Sequence, residues 1–274
     1  MSFIQIDDTK CKKDGICVLE CPVAILRQQD KKSPPQMVEG GDQICLTCGH
    51  CVSVCPHGAL NHLKTTREEC PPIEADLVID QKQAIQFLRT RRSIRNFKQK
   101  RVEKEEIKFL IDNARYAPTG SNSQSIEWTV HTDEDKIKEI ADLSIDWMRE
   151  FLKSAAKTGL VSYFPMIVAA YESGIDTVTR NAPCIVTASA PKTNVNGTVD
   201  LSIALSYLEL MAVPKGLGTC WAGLVKRALQ SSDPLRKLMG LPESHTHFYP
   251  IMIGYPRFRY HRLPERKQAI IHWN

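Results

Sequence analysis

Residues 45–56 read CLTCGHCVSVCP, a C-x2-C-x2-C-x3-C-P run, and the chain holds an earlier version of it, CKKDGICVLECP, at 11–22. Laid over each other, Cys11, Asp14, Cys17, Cys21 and Pro22 align with Cys45, Cys48, Cys51, Cys55 and Pro56, so among these positions only the second differs. Each run continues into a matching tail, PVAIL and PHGAL. Three donors on one tight loop can grip three corners of a single iron-sulfur cubane, while the proline halts the short helix and turns the fourth thiolate away. Thiolate is the soft donor that iron in such clusters prefers. Tetrahedral zinc usually takes two widely spaced cysteine pairs instead. Seven of the ten cysteines fall before residue 56, which argues for metal or redox chemistry over a disulfide scaffold.

The tandem resembles the bacterial two-cluster ferredoxins, in which the fourth cysteine of each run crosses to the other cluster. That resemblance implies one cluster on Cys11, Asp14, Cys17 and Cys55, and a second on Cys45, Cys48, Cys51 and Cys21. Asp14 leaves three readings open: a solvated aspartate beside a three-iron cluster, a hard carboxylate ligand completing a four-iron cluster, or a site completed by Cys70 from farther along the chain. His50 and His57 lie within or just after the second run, where they could tune its cluster by hydrogen bonds or face solvent.

A chain of 274 residues with 42% hydrophobic content suits two globular domains. Residues 1–63 carry six Lys/Arg and seven Asp/Glu; subtraction from totals of 36 and 31 leaves thirty against twenty-four, a basic remainder. The stretch TTREECPPIEADLV at 65–78 breaks any regular pattern. Three parts are therefore expected: residues 1–63, a linker at 64–79, and residues 80–274. The start MSFIQIDDTK has no apolar leader and FPMIVAAY at 164–171 is too short to span a bilayer, so no membrane association and a cytoplasmic location are expected.

Within the larger part, residues 81–97 read as an amphipathic helix ending in a basic run, and 103–116 as a second helix with Ile107, Leu110, Ile111 and Ala114 on one stripe. RRSIRNF, that helix, and then APTGSNSQ-x3-W resemble the flavin-dependent nitroreductase family, as do NAPCIVTASA, GLGTCWAGL and IMIGYP with its basic tail. The match covers about residues 80–274, and the whole resembles ferredoxin-nitroreductase fusion proteins. The resemblance implies an α+β fold: a small two-cluster ferredoxin-like domain, then an α+β sandwich whose mostly antiparallel sheet is covered by helices. One of these is a long apolar helix around Asp200 to Met211.

Position by position, the resemblance places Arg91 and Ser93 at the FMN phosphate and ribityl chain, with Arg92 beside them and Arg95 near flavin N1 and O2. It puts Thr119, Gly120, Asn122 and Gln124 on the loop at the isoalloxazine edge, backbone of Ala222 and Gly223 near N5, and Arg262 and Arg266 as a second phosphate clamp. The segment 147–175, with Tyr163, Phe164 and Tyr171, is a candidate pocket wall. Cys184 and Cys220 read as small buried hydrophobes, and His245 and His247 as strand residues without a third metal ligand nearby.

The implied function is an FMN-dependent oxidoreductase. Clusters relay electrons to flavin, which reduces a small-molecule acceptor such as a nitro compound, quinone or activated alkene. The implied assembly is a homodimer. Reduced ferredoxin and NAD(P)H are both candidate donors, since no G-x-G-x-x-G fingerprint points to a nucleotide site. Two other classes stay open: an electron-transfer module serving a protein partner, and a zinc- or nucleic-acid-binding regulator using the seven basic residues of 89–101. No nucleic-acid module accompanies that run, and nucleic acid is not an expected partner.

Overall fold

The computed structural model describes residues 3–155 and 163–274. They divide into two units: one runs to Ile79 and takes in Ser121–Ser123, and the other comprises Asp80–Gly120 and Gln124–Asn274.

The first unit repeats itself in backbone as well as sequence. Strand β1 (Ile4–Ile6), helix α1 (Ile16–Glu20) and strand β2 (Leu26–Arg27) are followed by β3 (Gln36–Met37), α2 (Gly41–Ile44), α3 (His50–Val54) and β4 (Leu60–His62). β1 pairs antiparallel with β4, and β2 with β3. The left-handed conformation recurs at matching places: Lys13 with Thr47, Gly15 with Gly49, and Ala24 with Gly58. At Gly15 and Gly49 it opens α1 and α3, where glycine carries no steric penalty. The Asp14 loop therefore keeps the turn of the Cys48 loop although its thiol is gone.

In the second unit α4 (Gln81–Thr90) and α5 (Lys104–Ala114) precede β5 (Glu127–His131), α6 (Glu134–Ala155) and α7 (Phe164–Glu172). Then come β6 (Cys184–Pro191), α8 (Gly197–Ala212), β7 (Gly218–Trp221), α9 (Gly223–Leu229), α10 (Asp233–Leu238) and β8 (His245–Gly254). The sheet has the order β5-β6-β8-β7, with every pair antiparallel. Side chains alternate across it. Cys184, Val186, Ala188, Ile251 and Ile253 pack on Leu110 of α5 and on Leu201, Leu205 and Leu208 of α8. Ile185 and Met252 face Ile140 and Ile145 of α6, Val225 of α9 and Leu235 of α10. A sheet covered on both faces explains the continuous apolar run of β6. Each fully buried Leu or Ile contributes about 1.5–3 kcal/mol.

The expected helix over 81–97 stops at Thr90. Asp80 caps its start by accepting from the Gln83 N–H at 2.8 Å. Beyond Thr90 the chain straightens, the Ile94 N–H donates to the Thr219 carbonyl at 2.8 Å, and Ile94 and Phe97 enter the core. Burial of those two side chains outweighs helix continuation. Among the described residues no helix is long and apolar enough to cross a membrane.

At Gly218, beside this extended strip, a Cβ would run into the Ile94 side chain. Gly218→Ala should destabilise the second unit by about 1–3 kcal/mol through overpacking. Thermal unfolding followed by near-UV circular dichroism measures this, and an unchanged midpoint would contradict the packing.

Candidate functional site

Cys11, Asp14, Cys17 and Cys55 line one cavity in the first unit, together with His57, Ile6 and Leu60. Burial pushes the Cys17 thiol up to about 11, and the charges of Cys55, Cys11 and Asp14 add to the effect. The Cys51 thiol rises to about 11 in the same way, with Cys48, Cys45 and Cys21 as its charged neighbours. Each set draws its fourth cysteine from the other run. Bound iron must displace those protons, so assembly and deprotonation are one event. Among the described residues no three such side chains close on one point as a single ion requires; cubane donors stand apart, each on its own iron. Two backbone amides already face sulfur, from Thr47 to Cys45 Sγ at 3.4 Å and from Ala59 to Cys55 Sγ at 3.3 Å. Hydrogen bonds of this kind tune cluster potentials. Cys70 is not among the residues lining the Asp14 cavity. Asp14 has two partners there: its Oδ1 accepts from the Ile16 N–H at 3.2 Å, and its Oδ2 lies 3.2 Å from His57 Nε2.

The second unit holds two cavities along the extended strip 91–95, which pairs in parallel with β7 through Ser93 and Thr219. One, of about 440 Å³, is lined by Arg91, Arg92, Arg257, Arg259, Tyr260, Thr219 and Glu209. Arg91 Nη1 donates to Glu209 Oε1 at 3.1 Å, and that buried carboxylate also accepts from Thr219 Oγ1 and Trp221 Nε1. Arg92 stacks over Tyr260 with 5.4 Å to the ring centre. The other cavity, of about 450 Å³, is lined by Arg95, Arg180, Lys226 and Arg227, with Trp221, Ala222, Gly223 and Tyr249, and no acidic residue. Thr177 lines it too, and its buried Oγ1 has no partner among the described residues. Both volumes fall in the range of cofactor sites. A third cavity, of about 440 Å³ and bordered by Glu134, Asp135, Asp142 and Asp176, contains none of the residues expected to bind flavin.

A profile described as the nitroreductase family matches residues 88–255. The chain belongs to the nitroreductase family. A 4Fe-4S dicluster domain profile matches residues 3–56, so the protein is a ferredoxin-nitroreductase fusion. It is similar to a Cr(VI) reductase of Pseudomonas sp. (strain G-1), 26% identical over 192 residues that cover 69% of this chain and 73% of that one. It is also similar to an Archaeoglobus fulgidus protein named for NADH dehydrogenase or NAD(P)H nitroreductase activity, 23% identical over 176 residues, covering 64% of this chain and 86% of that one. The structure of a nitroreductase with bound FMN from Desulfitobacterium hafniense shares the fold at TM-score 0.57 and 19% identity, over 72% of this chain and 100% of that one.

Within the nitroreductase unit the expected flavin residues separate. Arg95, Ala222 and Gly223 share one cavity, and Arg91 and Arg92 the other, while Ser93 is paired in the strip between them. The Ala222 N–H is already committed to the Pro250 carbonyl at 2.9 Å. Gly223, the opening residue of α9, has no intrahelical acceptor for its own N–H. Thr119 Oγ1 accepts from the Gln124 N–H, and the Gly120 N–H donates to the buried Asp200 carboxylate at 3.0 Å. Asn122 belongs to the first unit, where its side chain donates to the Leu46 and Thr47 carbonyls at 3.0 and 3.1 Å. Arg262 and Arg266 lie exposed in the tail, outside both cavities; Arg257 and Arg259 are the tail arginines that line one.

Of the segment 147–175, residues 156–162 lie outside the described residues; Tyr163 lines the Arg95 cavity, while Phe164 is buried against Trp147 and Phe151. Tyr171 bonds Asp142 and borders the third cavity. Cys184 is fully buried, its thiol pushed up to about 12 by burial. His245 and His247 bond Ser189 and Thr198, respectively. Sequence reading missed Glu209 and Asp200, two carboxylates on an otherwise apolar helix. Their nine-residue separation puts them on opposite sides of α8, a signal that both sides are buried and hold donors.

Cys21→Ser tests the crossing. Although Cys21 lies in the first run, its loss should abolish the cluster of Cys45, Cys48 and Cys51, and iron should fall by about half. Iron analysis and low-temperature EPR decide; loss confined to the Cys11 and Cys17 cluster would contradict the crossing.

Proposed function

We propose that the protein is an FMN-dependent oxidoreductase in which iron-sulfur clusters relay electrons to the flavin for reduction of a small acceptor. The observation carrying this reading is the cavity where Arg95, the Gly223 amide, Trp221, Tyr249 and the orphaned Thr177 hydroxyl meet. Its neighbour along the strip offers Arg91, Arg92, Arg257 and Arg259 to an anion. A phosphate end and a ring end would thus lie in order along residues 91–95. The two donor sets of the first unit fit two clusters.

FMN supplies conversion between one-electron and two-electron chemistry when bound. The chain's own groups hold and tune it. Guanidinium forks at Arg91 and Arg92 match a phosphate. Glu209 keeps Arg91 oriented, and Arg95 would favour negative charge near the ring's pyrimidine edge. The Gly223 amide can donate without any side chain, and the aromatic pair Trp221 and Tyr249, with ring centres 4.8 Å apart, excludes water from one wall. We further propose a homodimer, consistent with the absence of buried residues on α4 and the exposure of Ile85 and Leu88. Reduced ferredoxin and NAD(P)H remain the proposed donors.

The acceptor's charge follows from the lining. With Arg95 devoted to the flavin, Arg180, Lys226 and Arg227 still border the cavity, and none of the three has a carboxylate partner among the described residues. An acceptor bearing a carboxylate or similar anion would satisfy them. In Lys226→Gln/Arg227→Gln protein the ratio of kcat/KM for 4-nitrobenzoate to that for nitrobenzene should fall about tenfold. An unchanged ratio would overturn this assignment. Failure of the wild-type protein to turn over any nitro or quinone acceptor would favour electron delivery to a protein partner instead.

A further inference from the structure

Two departures from the internal repeat meet at one place. With the offset of 34 residues that carries Cys11 onto Cys45, Asp14 stands where the second run has Cys48, and His57 stands where the first run has Val23. The second run has one other histidine at an apolar position of the first, His50 in place of Ile16, and it turns back to the Cys48 carbonyl of its own loop at 3.3 Å. His57 does not turn back. The crossing that carries Cys55 to the first set of donors carries His57, two residues later, into the same cavity. There its Nε2 lies 3.2 Å from Asp14 Oδ2, with both side chains about a third exposed (36% and 37%).

Resting on the reading that this donor set binds a cluster, we propose that His57 is the positioning residue for Asp14 and stabilises the iron that no cysteine reaches. A carboxylate is a harder donor than thiolate, so an isolated aspartate holds such an iron weakly. Asp14 is not isolated. The Ile16 N–H donates to Oδ1 and the His57 imidazole stands 3.2 Å from Oδ2, so each oxygen has an outer neighbour and keeps a lone pair for iron. Outer partners of this type orient a metal ligand, and their removal typically lowers metal affinity about 10–100-fold. The ligand and its support come from opposite halves of the repeat, so the site exists only in the crossed arrangement.

The test uses the full-length chain under anaerobic conditions. Dithionite-reduced protein with a three-iron first cluster takes up one Fe2+ with no further change in electron count, and EPR follows the conversion. His57→Ala should weaken Fe2+ uptake about 10–100-fold, and His57→Gln, which keeps an N–H donor, should recover part of it. In an Asp14→Cys background, where thiolate binds without the imidazole's help, His57→Ala should have little effect. Wild-type Fe2+ affinity in His57→Ala would overturn the proposal. So would an equal loss in the Asp14→Cys background, which would indicate general damage to the fold. Directly coordinated nitrogen, seen as strong hyperfine coupling in 15N-histidine-labelled protein, would overturn it by making His57 a ligand. If iron and sulfide analysis finds no cluster on this donor set, the underlying reading fails instead, a result distinct from weak uptake at one corner.

Discussion

Each cysteine run puts three of its positions on one tight loop, and Cys55 of the second run lies in the cavity of Cys11, Asp14 and Cys17, so the first unit is organised around the crossing of the two runs. Its loops accept left-handed backbone at Lys13, Thr47 and Ala24, which are not glycines. Such residues cost about 1–2 kcal/mol each. Its apolar core is small, formed by Ile4, Cys17, Ile25, Leu26, Val52 and Leu60 as fully packed members. Segments of this size often depend on metal for stability. Iron-thiolate bonds tying the two runs together would fit that need, and forming them would release the thiol protons.

The nitroreductase unit meets a different constraint, because its central strand β6 is almost wholly buried and α8 buries Asp200 and Glu209. Polar groups there need internal partners. Asp200 holds the 119–124 loop through the Gly120 amide and also accepts from Asn194, while Glu209 gathers Arg91, Thr219 and Trp221. Losing one partner of such a buried carboxylate is costly because its charge remains without compensation. The Glu209 contacts tie the strip 91–95 to the core, so the proposed phosphate end is held by residues that also stabilise the fold.

The resemblance to two-cluster ferredoxins implied the two crossed donor sets, and the fold does bring Cys55 into the cavity of Cys11, Asp14 and Cys17. The resemblance likewise pointed to NAPCIVTASA as a central strand, and β6 does lie inside the sheet beside β8. Tertiary competition hid the rest. Nothing local in RRSIRNF says that Ile94 and Phe97 would leave the helix for the core, or that Pro250 would claim the Ala222 amide. Asn122 has the same chemistry whether it meets a flavin or the carbonyls of Leu46 and Thr47. His57 looked like a solvent-facing loop residue because its partner is 43 positions away, a contact that arises only through the crossing of the repeat.

In the proposed function one chain joins two clusters to a flavin. Iron, zinc, acid-labile sulfide and FMN content of anaerobically purified protein test it most directly. About eight irons and one FMN per chain, without zinc, are the expected result. Zinc in place of iron, with no flavin, would contradict it.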